Sequence, residues 1–375
     1  MLVIKPRVAL VASVSMDLTG THRANLHQLK AFLDLDGFDV HVFLIRTQTD
    51  LNQLVSSLRS TRYVWVHCEQ GHFMGLTLDG EFLFDRLNIP VFTQLRDHWF
   101  YPWVWKNLKS LPINATVFHT SEFFTQAQQQ MNGSHYHCLH TTQLYKTPIS
   151  SAFSKPIDIF YSGTCRSIED AYQLALETSK TQVIDHVMES CHDACQIPDW
   201  VWELTLVDDQ VEIDGERIQV TDFYKLFELA RTIVRSNILN RLATYEALIF
   251  VKGGWLPPKG ARAQCINRPL PFAESNYLAS RAKCVFSDQA TFKNEIGERV
   301  ATALDSGVPI IARCSELLEP YRQLPQIRLY DSLDSLEDCL VDRPINHNEL
   351  RYDSTEYPQI QIRSYLRGVQ QHVFE

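Results

Sequence analysis

Several short stretches of this chain combine residue types that can do chemistry. In Leu95-Arg96-Asp97-His98-Trp99-Phe100-Tyr101-Pro102-Trp103, a carboxylate stands beside an imidazole. Asp97 and His98 could remove a proton from a hydroxyl or orient a ring bearing hydroxyls. The aromatic run behind them could stack on such a ring. A structural ion pair beside an aromatic core patch has the same composition, and the tryptophans read first as packing residues. In Ser15-Met16-Asp17-Leu18-Thr19-Gly20-Thr21-His22-Arg23, small residues let a ligand approach the backbone, and Asp17 and His22 could handle protons. Equally, Asp17 or Thr21 could cap the helix that follows.

Two further stretches pair glycine with a cation. Tyr161-Ser162-Gly163-Thr164-Cys165-Arg166 sets Gly163 before Thr164 and Arg166, which could hold a diphosphate; arginine offers a fork of donors. In Val251-Lys252-Gly253-Gly254-Trp255, Gly253 and Gly254 would let a ligand lie against the main chain, with Lys252 as a counter-charge and Trp255 as a wall. A tight strand–helix turn explains either stretch without a ligand.

These residues need a scaffold that ends strands side by side. Apolar runs at Val8–Val14, Val40–Ile45, Tyr63–His67, Pro90–Leu95 and Ala115–His119 read as strands. Between them Thr21–Leu35, Leu51–Leu58 and Glu122–Met131 carry helical spacing. The pattern restarts with strands at Ile157–Ser162, Ala247–Lys252, Cys284–Phe286 and Val308–Ala312, and a helix over Glu298–Leu304. Continuous apolar strands alternating with helices predict parallel sheets covered on both faces, an α/β class with two Rossmann-like halves. In such sheets ligands bind beyond the carboxyl ends of the strands, where all four stretches fall.

The expected boundaries are 1–150 for an N-terminal domain and 151–358 for a C-terminal one, with a helix over 359–375. Residues 180–245 read as an elaboration of the second domain. There Leu204–Val207 and Val211–Val220 alternate like strands about an Asp214-Gly215 turn, and Tyr224–Leu242 looks helical.

A length of 375 residues suits two domains, and 45% hydrophobic with 21% charged residues is ordinary for a globular chain. The net charge of −9 argues against broad capture of nucleic acid. No membrane span is visible. The start reads as a buried strand rather than a signal peptide, and the nine scattered cysteines read as reduced thiols, so a cytoplasmic protein is expected. Cys191-His192-Asp193-Ala194-Cys195 and His135-Tyr136-His137-Cys138 invite a metal reading, but free cysteines in a helix and a histidine-bearing strand explain them better. No metal or cofactor is expected.

The segment Asn294-Glu295-Ile296-Gly297-Glu298-Arg299-Val300-Ala301-Thr302-Ala303-Leu304-Asp305-Ser306-Gly307-Val308-Pro309-Ile310-Ile311 resembles the "NxxERVFEALASGxPVI" stretch of GT-B glycosyltransferases, most closely the CgeB-like spore-maturation branch. Asp158–Thr164 resembles that branch's "DvxFvGs" strand, Val251–Trp255 its "iyGxGW", Pro271–Leu278 its "pvpyeelxkiy", and Leu95–His98 its "xDdp" turn. The resemblance implies a GT-B fold of two facing domains, with a cleft between them that transfers a sugar from a nucleotide-sugar donor, without metal. The acceptor would be a glycan, a protein or a small molecule. It also implies that Glu298, Arg299 and Glu316 stand near a donor held mostly by the C-terminal domain. A helix N-terminus with an arginine is a diphosphate site on physical grounds too. Asp97, His98 and Asp17 would then be the catalytic candidates. The sequence departs from the pattern at Thr302, where retaining enzymes carry the second of two glutamates, and at Asn294, where they carry the first. Glu295, Glu298 or Glu319 would stand in, or the chain is a GT-B-shaped binding module without turnover.

Overall fold

Two six-stranded sheets, each wholly parallel, organise the computed structural model, which describes residues 5–15, 17, 20–95, 100–109, 111–119, 135–138, 157–202, 204, 206–288, 299–300, 303, 308–316, 318–342 and 369. The chain divides into two units: Met1–Tyr145 with Glu356–Glu375, and Lys146–Thr355.

In the first unit, β1 (Arg7–Ser13) is buried from Val8 to Ala12 because both faces of the sheet are covered. Its alternate residues serve different cores. Val8, Leu10 and Ala12 pack with Leu26, Leu29 and Leu33 of α1 (Thr21–Leu35), while Ala9 and Val11 pack with Leu54 and Leu58 of α2 (Gln48–Ser60). Helix α2 starts at a capping box between Thr47 and Asp50. The other strands of the sheet are β2 (Asp39–Ile45), β3 (Trp65–Cys68), β4 (Val91–Leu95), β5 (Ala115–His119) and β6 (His135–Cys138), with α3 (Pro102–Leu108) between β4 and β5. The sheet order is β2-β1-β3-β4-β5-β6. Val369 of the C-terminal segment is buried in the α1-side core. The helix expected over Glu122–Met131 lies outside the described residues.

The second unit begins with β7 (Ile157–Thr164), α4 (Ile168–Leu176) and α5 (Thr181–Cys191). A three-stranded antiparallel ribbon follows (Leu206–Val207, Gln210–Ile213, Glu216–Gln219), with Asp214-Gly215 at its turn, both at positive φ. The chain then enters α6 (Val220–Leu242), β8 (Ala247–Lys252), β9 (Gln264–Ile266), α7 (Phe272–Ser280), β10 (Ala282–Ser287), β11 (Ile310–Arg313), β12 (Ile327–Tyr330) and α8 (Leu333–Val341). The order is β9-β8-β7-β10-β11-β12, so the path reverses direction between β7 and β10. Residues 180–245 form most of the crossover from β7 to β8. Val220, expected to end a strand, opens α6 instead. That helix is buried nearly all round, and Glu228, Thr232, Arg235 and Ser236 are buried with its apolar residues. No helix among the described residues is long and apolar enough to cross a membrane.

Candidate functional site

The reversal between β7 and β10 leaves a crevice position at the carboxyl edge of the second sheet, the place where open parallel sheets bind ligands. Asp288 follows β10 there and is 1% exposed. Its Oδ2 accepts from Arg235 Nε of α6 and from the Tyr161 hydroxyl of β7 at 3.0 Å. Its Oδ1 faces Arg299 Nη1 at 3.3 Å. Burial alone would raise this carboxyl's pKa; Arg235 and then Arg299 more than reverse that and hold it down to about 2. Arg235 Nη1 also donates to the Thr164 carbonyl, so α6 is tied to the ends of both β7 and β10. A buried pair of this kind gains from further hydrogen bonds, and the Thr164 carbonyl supplies one to Arg235.

Arg299 is helical, and its guanidinium lies over the Tyr161 ring at 5.2 Å with the side chain 31% exposed. Its side chain is therefore partly open while one guanidinium nitrogen is anchored. Arg313, at the end of β11, is buried within electrostatic reach of Asp288 and donates to Gln196 Oε1 at 3.4 Å. Arg166, just beyond β7, and Lys252, the last residue of β8, are exposed, and among the described residues neither has an ion pair. The edge thus gathers arginines about Asp288, which suits an anion.

The glycines have a different reason from the one the sequence suggested. Val251 pairs with Gly163 and Lys252 with Thr164, so the two turns do meet. However, a Cβ on Gly253 would stand 2.1 Å from the Cys165 carbonyl oxygen, and Gly253 sits at φ 137°. A Cβ on Gly254 would stand 3.0 Å from the Ser167 nitrogen and 3.0 Å from Asp170 Oδ2. The space a side chain would need is filled by the β7–α4 turn, not open to a ligand. Cys165 N–H donates to the Lys252 carbonyl at 3.0 Å, and Trp255 N–H to the Cys165 carbonyl at 3.3 Å, closing the interlock. Trp255 is buried and its indole donates to Asn240 Oδ1 at 3.3 Å, so it packs against α6 rather than walling a crevice. A Cβ on Gly163 would stand 2.3 Å from the Tyr161 hydroxyl.

Thr164 is exposed at the end of β7, and Glu316 is exposed in the turn after β11, further along the same edge. Asp97, His98, Glu298 and Thr302 lie outside the described residues. Sequence reasoning passed over Asp288 and Arg235, whereas Arg313 lies in the loop Arg313-Cys314-Ser315-Glu316 that the resemblance sets beside the donor. Two signals were present: β10 runs through Ser287, so the strand-end rule selects Asp288, and Arg235 interrupts the apolar run Ile233, Val234, Ile238, Leu239 of a buried helix. Among the described residues no group of histidine, cysteine or carboxylate side chains could hold a metal ion.

The first sheet also reverses, between β1 and β3, and its carboxyl edge has the opposite character. Asp17 is buried; its Oδ2 accepts from Arg23 N–H at 3.2 Å and faces Arg23 Nε at 3.6 Å. It thereby serves the first turn of α1, whose cap, Gly20, makes no side-chain bond. Glu69, fully buried after β3, binds Asn25 Nδ2 at 2.7 Å, His67 Nε2 at 3.2 Å and His22 Nδ1 at 3.4 Å. The rings of His22 and His72 meet edge-on at 5.4 Å. Burial, followed by the neighbouring His22, lowers the pKa of His72 from 6.5 to about 4.

No protein-family model matches the sequence, and no curated protein matches it. Solved structures do. The chain is similar to a DNA-modifying β-glucosyltransferase determined with and without uridine diphosphoglucose, at 11% identity and a TM-score of 0.43, over 98% of this chain and 99% of that one. It is similar to a UDP-forming α,α-trehalose-phosphate synthase from Burkholderia xenovorans, at 8% identity and 0.44, over 99% and 100%. It is also similar to a UDP-GlcNAc 2-epimerase from Methanocaldococcus jannaschii, at 11% and 0.39, over 97% and 99%.

Proposed function

We propose that this chain is a GT-B glycosyltransferase that moves a sugar from a nucleotide-sugar donor to an acceptor hydroxyl or another nucleophile. The observation that carries the reading is the arginine-rich edge at the reversal of the second sheet, where Arg299 is anchored yet partly open and Arg166 and Lys252 stand exposed. The ordered sequence pieces from Asp158 to Ile311 support it. In this reading Arg299, Arg166 and Lys252 neutralise the leaving diphosphate, so no metal is needed for that charge. Asp97 or His98, which follow β4 in sequence, takes the acceptor's proton. Asp17 fits that role less well, because one of its oxygens already serves Arg23. The buried free thiols Cys68, Cys165 and Cys191 suit a reducing cytoplasm.

A screen of UDP-, GDP-, CMP- and TDP-sugars by thermal shift tests the reading. One of them should raise the melting temperature of the full chain, and Arg299→Ala should remove most of that rise. No stabilisation by any of the sugars, with Arg299→Ala behaving like the parent, would discard it. A second reading is motivated by Thr302, which replaces the second glutamate of retaining enzymes. There the chain binds the donor without turnover. Donor-dependent transfer or donor hydrolysis, lost in Asp97→Asn or His98→Ala, excludes that alternative.

A further inference from the structure

We infer that Asp288 is a positioning residue: with the Tyr161 hydroxyl and Arg235 it fixes the guanidinium of Arg299 so that its open donors present themselves to a diphosphate. The inference deepens the donor reading above and rests on it.

The charge of Asp288 is at first sight the wrong one for this edge. A carboxylate beside an anion site should repel the anion and weaken binding. Yet Asp288 stands at the sheet reversal itself, completely enclosed. Arg235 resolves the contradiction. It is buried with Asp288 and bonded to its Oδ2, so it cancels most of the carboxylate's field before any ligand arrives. What remains of Asp288 is geometry. Its Oδ1 holds one nitrogen of Arg299 at 3.3 Å while the Tyr161 ring supports the guanidinium plane from 5.2 Å.

Tyr161 reaches Asp288 only because residue 163 has no side chain. Its hydroxyl donates to Asp288 at 3.0 Å and passes 2.3 Å from where a Cβ of Gly163 would be. The glycine at the end of β7 is therefore required by a side chain of the same strand. A chain of dependence runs from Gly163 to Tyr161, to Asp288, to Arg299. Holding a long, flexible arginine in place before binding removes an ordering cost that the ligand would otherwise meet.

The test measures inorganic pyrophosphate affinity of the full chain by calorimetry, with the melting temperature of each variant confirming that it folds. Asp288→Asn removes a negative charge from the edge. If Asp288 were only a counter-charge, this variant would bind pyrophosphate more tightly; the positioning role predicts binding weaker by roughly tenfold. Because the substitution also strips Arg235 of its partner, Tyr161→Phe provides a milder second variant that keeps the ring and deletes the hydroxyl. It should weaken pyrophosphate several-fold in the parent and have no further effect when combined with Arg299→Ala. Unchanged or tighter binding by both single variants would overturn the inference and leave the donor reading standing. Additive effects of Tyr161→Phe and Arg299→Ala would overturn it as well. If the parent chain bound neither pyrophosphate nor any nucleotide sugar, the donor reading would fail and take the inference with it.

Discussion

A histidine enclosed beside another histidine resists protonation, and His72 is such a residue. Its pKa falls from 6.5 to about 4 because burial and then His22 oppose the charge, outweighing Glu69 and Asp17, which favour it. The sign of the effect on stability follows by linkage. As pH drops below 6.5 the unfolded chain takes up a proton at this residue and the folded chain does not, so stability is lost progressively until about pH 4. Replacing the imidazole by a neutral amide, His72→Asn, removes that proton uptake. The melting temperature of the variant should therefore fall less steeply than the parent's between pH 6.5 and 4. Parallel melting curves across that interval would show that His72 titrates normally.

The strand ends of the second unit interlock as elements, and this is where sequence and structure part most clearly. The strands themselves were legible: β5 and β8 span the expected residues, α1 does too, and most other strand boundaries move by a residue or two. They were legible because a strand covered on both faces needs an unbroken apolar run. Gly163 and Gly253 were legible as strand-end glycines for the same reason. Their partners were not, since a Cys165 carbonyl or a Tyr161 hydroxyl in the space of a missing Cβ is a tertiary fact with no local pattern. The short strands β9 and β12, and the helix α4, were missed because three or four residues, or a helix of nine, carry too little periodicity. Gly253→Ala measures the interlock. It should lower stability by about 3 kcal/mol, combining an unfavourable φ with a backbone clash. Gly260→Ala is the control, since it shares a positive φ of 86° but has open space where its Cβ would go. If chemical unfolding gave equal losses for both, the turns would not be held against each other.

At the scale of the whole molecule the two sheet edges differ in kind. The first gathers buried carboxylates and histidines around Glu69, and the second gathers arginines around Asp288. A chain with a net charge of −9 has thus concentrated positive charge at one reversal of one sheet. Screening by salt should reach the exposed Arg166 and Lys252 more than the enclosed Arg235.

Cys165 lies beneath that edge, sealed by the two interlocked turns, its sulfur 3.6 Å from the Ser236 hydroxyl. Burial also raises its pKa, so it is both out of reach and slow to ionise. An alkylating reagent gains access only when the turns part, which makes this thiol an internal stopwatch for breathing of the second unit. Mass spectrometry of the labelled chain would read it separately from the less enclosed Cys265 and Cys314. Pyrophosphate at saturation should slow the stopwatch several-fold at Cys165 and leave Cys265 running at its own pace; equal labelling of Cys165 with and without pyrophosphate would mean that the seal opens regardless of occupancy.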